Sequence, residues 1–418
     1  MSRPRTFRSL QTRNYRLYAA GQVVSNTGTW MQRVAQDWLV LQLTHGSGTA
    51  LGIATGLQFL PQLLFSLWGG MIADRYSKRA ILLTTQAVMG ALALLLGVLA
   101  LTGVVAVWQV YLLAFALGLV AVVDNPTRQT FAAEMVGPGG VANAVALNSA
   151  TFNLARIAGP AVAGLVISIA GTPIAFLVNA ASYGAVLLGL KLMRPAELYP
   201  VERARRAPGQ LREAFAYVRA RPTVWVTLLL VFFVATFGMN FQVTTALMAR
   251  EVFGTGAGKF GLASTMYAVG ALGGALLAAR RARPSLRLLL GAGLVFGVLE
   301  AVSGLMPSFW SFLLLLVPTG LALLMFTTTA NSATQLGVAP AVRGRVMGLY
   351  MLVFLGGAPL GSPLVGWVAE QFGARMSLIA GGVISALAAA LAGLVLARIK
   401  GVPARHYLRK PRLAGRLA

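Results

Sequence analysis

Ten carboxylates are spread along 418 residues: Asp37, Asp74, Asp124, Glu134, Glu197, Glu202, Glu213, Glu251, Glu300 and Glu370. Glu197, Glu202 and Glu213 lie in a polar stretch, Glu134 follows an apolar run, and Glu251 and Glu370 sit at the ends of apolar runs. Asp37, Asp124 and Glu300 fall inside apolar runs, and Asp74 stands at the border of one. An acid embedded in apolar sequence is costly to place, and the chemistry it offers is proton exchange or the holding of a cation. Asp37 follows Arg33 by four residues, so the two share one face of a helix. Two readings stand: Asp37 takes a proton or a cationic substrate, or Arg33 and Asp37 form a structural intrahelical ion pair. Asn26, Gln32 and Gln36 on the same segment favour a polar cavity there. Asp124 and Arg128 repeat the four-residue spacing around Pro126, which removes a backbone donor and loosens a helix. Glu300 lies in the outer half of its run, where it either carries a proton or snorkels outward.

The elements that must hold these groups follow from composition. The chain is 57% hydrophobic and 11% charged, against about 25% charged for a soluble domain, and its mean hydropathy is +0.74. Runs of roughly 20 apolar residues cross a bilayer as helices. About twelve are predicted, near 15–41, 50–73, 80–101, 107–127, 142–168, 172–193, 223–246, 258–279, 287–305, 309–332, 345–369 and 376–397. The short alternating segments of a membrane β-barrel are absent from the sequence. The fold class is therefore an all-α polytopic membrane protein. No removable leader is read at Met1–Arg16; the first span directs insertion. With no cysteine, disulfides and thiol-ligated centres are excluded.

The net charge of +25 is unevenly placed. Cations gather at Arg3–Arg16, at 75–79, across Arg194–Arg221, at Arg280–Arg287 and from Arg398 to Arg416, whereas the alternate connections hold Arg250, Lys259 and Arg375. This is the positive-inside asymmetry. It puts both termini in the cytoplasm with an even number of spans, and the basic loops against anionic lipid headgroups. Nucleic acid is not the expected partner. The polar stretch 194–222, with a short amphipathic helix carrying Leu211, Phe215, Tyr217 and Val218, divides the chain into 1–193 and 223–397, with a basic tail 398–418. The halves echo one another: Gly159-Pro160 and Gly164 in one, Gly357-Ala358-Pro359 in the other. Two six-helix halves around a midplane site are a transporter layout.

Arg156, Gly159, Pro160 and Gly164 form a compact motif whose small residues would equally serve close helix packing. Asn26, Gln36, Asn148 and Asn153 in the first half, with Phe237, Asn240, Phe241, Gln242 and Asn331 in the second, are candidate lining of a cavity for a bulky small molecule. His45 and His406 stand alone, so no metal site or other cofactor is expected. A phosphate-binding Gly-Lys-Ser/Thr loop is absent from the sequence, and no nucleophile–base set is present, so the protein is not expected to be an enzyme.

The segment Gly70-Met71-Ile72-Ala73-Asp74-Arg75-Tyr76-Ser77-Lys78-Arg79, followed by Leu82, resembles the loop between the second and third helices of major facilitator superfamily transporters. The strings Gly21–Gln32, Asp124–Gln129 and Asn143–Ser149 resemble the bacterial drug- and siderophore-efflux branch that includes enterobactin exporters and macrolide-efflux proteins. The resemblance implies a twelve-helix monomer in the bacterial inner membrane that couples protons to efflux by alternating access. It implies that Gly70, Asp74, Arg75, Lys78 and Arg79 gate, with a counterpart near Val342–Arg345, and that Arg156–Gly164 is an antiporter-like motif. It also implies that Asp124 latches to Lys78 or Arg79; direct proton carriage is the other reading of Asp124. A dedicated siderophore or metabolite exporter with a narrow site and a lipid-handling or receptor-like membrane protein without small-solute transport are the alternatives.

Overall fold

The computed structural model describes residues 7–199, 210–280 and 285–399. Arg3, Arg5, Glu202–Gly209, Arg281, Arg283 and the tail from Lys400 lie outside the described residues. Every regular element described is helical. In hydrocarbon this is the simplest way for one segment to satisfy all its backbone N–H and C=O groups. The helices are α1 (Arg13–Leu43), α2 (Gly48–Arg75), α3 (Lys78–Leu101), α4 (Val107–Val136), α5 (Val141–Lys191), α6 (Gln210–Arg219), α7 (Pro222–Phe233), α8 (Phe241–Leu247), α9 (Ala257–Ala279), α10 (Leu286–Gly304), α11 (Phe309–Gly337), α12 (Pro340–Phe372) and α13 (Ala374–Ile399). Among the described residues, nine stretches are long and apolar enough to cross a membrane, ten with α2, which bends by 65° between Gly48–Ser66 and Trp68–Arg75. Large apolar side chains stand outward, among them Ile169 at 77% and Leu314 at 74% exposure. A water-facing surface would not carry such contiguous apolar area.

Local chemistry sets the ends. Ser47 accepts from the Ala50 amide at the start of α2, and Ser308 and Ser311 form a capping box on α11. Residues 141–191 run as one helical stretch broken at Gly171, whose φ of 83° and ψ of 170° suit glycine. That is the turn predicted between the fifth and sixth runs. The seventh span is irregular: α7 passes through a π-helical turn, Val234–Gly238, into α8 and a second π turn, Met248–Val252. Pro126 does not interrupt α4, which is continuous through it. The predicted helix in the middle stretch runs over Gln210–Arg219; the Tyr217 hydroxyl accepts from the Ala339 amide at 3.0 Å.

Packing divides the chain into two compact units. The first comprises Met1–Arg206, Asn240–Ala268 and Ala358–Arg375. In it α1 lies along α5, α2 along α4, and α3 against both α4 and α5. Tyr15, Tyr18, Leu82, Phe131, Met135, Val186 and Leu190 form its core at the 75–79 end. At its other end α2 meets the second half of α12. A methyl group on Gly52 would run into the Ser362 carbonyl, and one on Gly366 into that of Gly48. Overpacking costs about 1–3 kcal/mol. Gly52→Val is therefore expected to lower the thermal midpoint in detergent, and an unchanged midpoint would count against this contact. The second unit comprises Ala207–Met239, Val269–Gly357 and Met376–Ala418, with α10 packed along α11.

Candidate transport site

In the first unit, α1 and α4 carry polar side chains to one another. Asp124 is fully buried. Arg128, one turn on, grips its Oδ2 with both Nε (2.9 Å) and Nη2, while Thr85 and Gln86 donate to Oδ1 at 2.7 and 2.8 Å. The free side of the Arg128 fork reaches Gln22 at 2.8 Å and Asn26 at 2.9 Å on α1. One ion pair thus ties α1, α3 and α4 together. A cavity of about 110 Å³ opens beside it, lined by Asn26, Arg33, Gln62, Asn125 and Arg128 among others.

The latch implied by the resemblance is not the one formed. Lys78 pairs with Glu134 in the last turn of α4. Arg79 donates to the Leu190 carbonyl at 2.8 Å, closing the C-terminus of α5. Register explains the difference. The helices α3 and α4 are antiparallel neighbours, and Lys78 opens α3 at the level where α4 ends. The seven residues from Lys78 to Thr85 rise about 10 Å, and only there does α3 reach Asp124. The 75–79 segment is also shorter than a loop: Gly70, Asp74 and Arg75 belong to α2, Lys78 and Arg79 to α3, and Tyr76-Ser77 alone connect them. Asp74 is half-buried and has no ion-pair partner among the described residues.

Asp37 is buried at 2% exposure. Its oxygen Oδ2 accepts from Gln242 Nε2 at 2.6 Å. The intrahelical ion pair with Arg33 is not formed. Arg33 instead lies over the rings of Trp30 (4.6 Å) and Phe59 (5.6 Å), and its Nε is buried without a hydrogen-bond partner. The aromatic faces attract the guanidinium by cation–π contact. Arg156 likewise has buried, unpartnered Nε and Nη2. The glycines of its motif serve packing: a side chain on Gly159 would strike Trp30, and one on Gly164 would press on Gly258.

The cavity residues predicted from sequence separate into groups. Asn26 joins the Arg128 network, Gln36 is buried on α1, and Gln242 holds Asp37. Asn240 is buried and accepts from Ser362 at 2.8 Å, and Phe241 stacks on Tyr267 at 4.4 Å, all in the first unit. Asn148 is half-buried, and Asn153 turns back on the Ser149 carbonyl of its own helix. Phe237 and Asn331 belong to the second unit, where Phe237 stacks on Phe233 and Asn331 accepts from Gln335. Glu300, also in the second unit, does not snorkel: it is 1% exposed, because its face of α10 turns toward the π-helical turn and α13.

Gln22, Thr85 and Gln86 were not predicted as site residues; each is a polar side chain in an apolar run, which is the signal that marks them. Glu370, assigned no role from sequence, accepts from the Ser47 hydroxyl (2.8 Å) and the Thr49 amide (2.9 Å). It thereby caps α2 from the end of α12, where a carboxylate suits a helix N-terminus.

Comparison with known proteins adds the following. A family described as transmembrane secretion effectors matches residues 5–412. The staphyloferrin A transporter of Staphylococcus aureus is 27% identical over 356 residues, covering 83% of this chain and 87% of the relative. The multidrug efflux pump Tap of Mycolicibacterium fortuitum is 27% identical over 375 residues, covering 87% and 90%. Among solved structures, a bacterial homologue of the human lysosomal transporter Spinster, inward-facing and unoccupied, superposes with a TM-score of 0.72 at 18% identity over 99% of this chain and 100% of that one.

Proposed function

Because the chain belongs to the transmembrane secretion effectors of the major facilitator superfamily, a multi-pass transporter of the bacterial inner membrane, we propose that it exports a small molecule against a proton gradient by alternating access. Dividing α5 at Gly171 and counting α1 and α2 as spans gives twelve, in covalent halves 1–193 and 223–397, with both termini cytoplasmic. The protein works as a monomer, its basic loops resting on anionic headgroups.

The observation that carries the coupling is the setting of Asp37. It is buried, its described hydrogen-bond partner is the uncharged Gln242, and the nearby cation Arg33 faces aromatic rings. An amide donor serves a carboxylate and a neutral carboxyl alike, since both keep an acceptor oxygen. The site therefore tolerates either protonation state. Protonation from outside competes with substrate, and the 75–79 segment, with its half-buried Asp74, commits the change of state. Asp74→Asn is expected to slow turnover more than it weakens substrate binding; kinetics unchanged from wild type would remove Asp74 from the gate.

The relatives handle different cargo, a staphyloferrin in one case and multiple drugs in the other. A bulky amphiphilic, drug-like substrate is the first reading. A dedicated exporter of an anionic chelate is the second, favoured by the unpartnered guanidinium nitrogens of Arg33 and Arg156, which suit carboxylates. Purified protein in liposomes with an imposed pH gradient, offered a panel of cationic drugs, neutral macrolides and carboxylate siderophores, tests both. Gradient-dependent movement of a panel member is expected, and its charge decides between the readings. No gradient-dependent movement of any of them would overturn proton-coupled efflux.

A further inference from the structure

The seventh span is broken where it meets Glu300. Its π-helical turn runs from Val234 to Gly238, closed by the Met239 amide on the Val234 carbonyl at 3.0 Å. Such turns are uncommon and concentrate at functional sites. The compact unit containing this turn ends, along this span, at Met239. Two glycines make room for the carboxyl group. A Cβ on Gly238 would stand 3.0 Å from Glu300 Oε2 and 2.7 Å from Ser385 Oγ. A Cβ on Gly381 would stand 3.1 Å from Glu300 Oε1 and 2.5 Å from the Phe237 carbonyl oxygen. A hydroxyl on α13 and a carbonyl of the π turn therefore stand in the neighbourhood of the carboxyl. Glu300 is 1% and Ser385 0% exposed, and both Glu300 Oε2 and Ser385 Oγ are buried without a hydrogen-bond partner.

Among the described residues, no ion pair to this group is formed. Pro222–Gly238 and α11 contain no ionisable side chain. On α13 the charged residues are Arg375 and Arg398, at its two ends, and on α10 the other charged residue is Arg287, thirteen positions and about 20 Å away along the helix. A buried carboxylate left without a cation costs several kcal/mol.

We propose that Glu300, Ser385 and the Phe237 carbonyl form a proton-binding site, separate from Asp37, whose occupancy sets the conformation of the Val234–Gly238 turn. The chemistry is complementary in one state only. A protonated Glu300 donates through Oε1–H to the Phe237 carbonyl, while Oε2 accepts from the Ser385 hydroxyl. Loss of the proton to water breaks that O–H bond and leaves two acceptor oxygens, Oε1 and the Phe237 carbonyl, facing each other. Their repulsion displaces the carbonyl and loosens the turn. A sodium ion would satisfy the same oxygens, so the test separates the two.

The test uses the purified full chain in detergent across a pH series, with and without sodium. Infrared difference spectra should show the C=O band of a protonated carboxylic acid that disappears as pH rises, is absent in Glu300→Gln, and remains in Asp37→Asn. Ser385→Ala should displace its midpoint. Hydrogen exchange of residues 234–247, corrected for the intrinsic rate, should lose protection over the same pH range in wild type. Glu300→Gln, whose amide mimics the protonated acid, should hold the acid-level protection throughout. A carboxyl that never titrates in wild-type protein, or a pH response of this segment that survives in Glu300→Gln, would overturn the site. A midpoint displaced by sodium would overturn its assignment to the proton.

Discussion

Asp37→Asn is expected to abolish transport driven by a pH gradient while leaving the protein folded, inserted and able to exchange substrate with equal pH on both sides. The asparagine amide fills the same volume and keeps an acceptor for Gln242 Nε2, which now lies 2.6 Å from Asp37 Oδ2. What is lost is the ability to change charge. Exchange without net flux needs the two conformations but no proton, so it survives; net movement against a gradient needs the proton, so it fails. Paired flux and counterflow measurements in liposomes separate the two. Gradient-driven flux at the wild-type rate in Asp37→Asn would sink the coupling role, and loss of both activities would point to a structural one. Gln242→Ala is the companion change: it removes the hydrogen bond and keeps the titrating group.

Arg128→Met is expected to be the most damaging substitution for stability. Asp124 is completely buried, and Arg128 supplies its charge partner together with bonds to Gln22 and Asn26. Removing one member of a buried pair costs about 3–5 kcal/mol, because the other is left as an uncompensated charge. The double change Asp124→Asn with Arg128→Met should recover part of that loss, since the orphaned charge goes too. Arg128→Lys should fall between, keeping the charge and losing the fork. Denaturant midpoints in detergent report the order. A single variant no less stable than the double would remove this pair from the core of the first unit.

Much of this was legible in the residue pattern. Charged residues inside apolar runs named Asp37, Arg33, Asp124 and Arg128, and the gap between the runs 142–168 and 172–193 marked the break in α5. Partners were harder, because they depend on the register of neighbouring helices. Lys78 meets Glu134 and not Asp124 only because α3 and α4 run antiparallel, with those two residues at one end. The facing direction of Glu300 was illegible for another reason. A helix apolar all round shows no preferred side, so nothing in α10 announces that Glu300 turns inward, toward Gly238 and Gly381. The bond between Asp37 and Gln242 joins residues 205 positions apart, a distance that local spacing does not bridge. Arg33 misled for a simpler cause: the i,i+4 spacing to Asp37 is real, but Trp30 and Phe59 compete for the guanidinium.

The meeting of α2 with α12 is made largely of backbone and small residues. Gly48 and Gly52 stand against Gly366 and the Ser362 carbonyl, with Leu247, Ala369 and Pro363 side chains beside them. Atom-to-atom attraction across such a surface is only about 0.1–0.2 kcal/mol per pair, so its strength comes from how many atoms the glycines let approach. The Glu370 cap on Ser47 and Thr49 sits at its rim, so the hold at this end combines an undirected close contact with two directional hydrogen bonds.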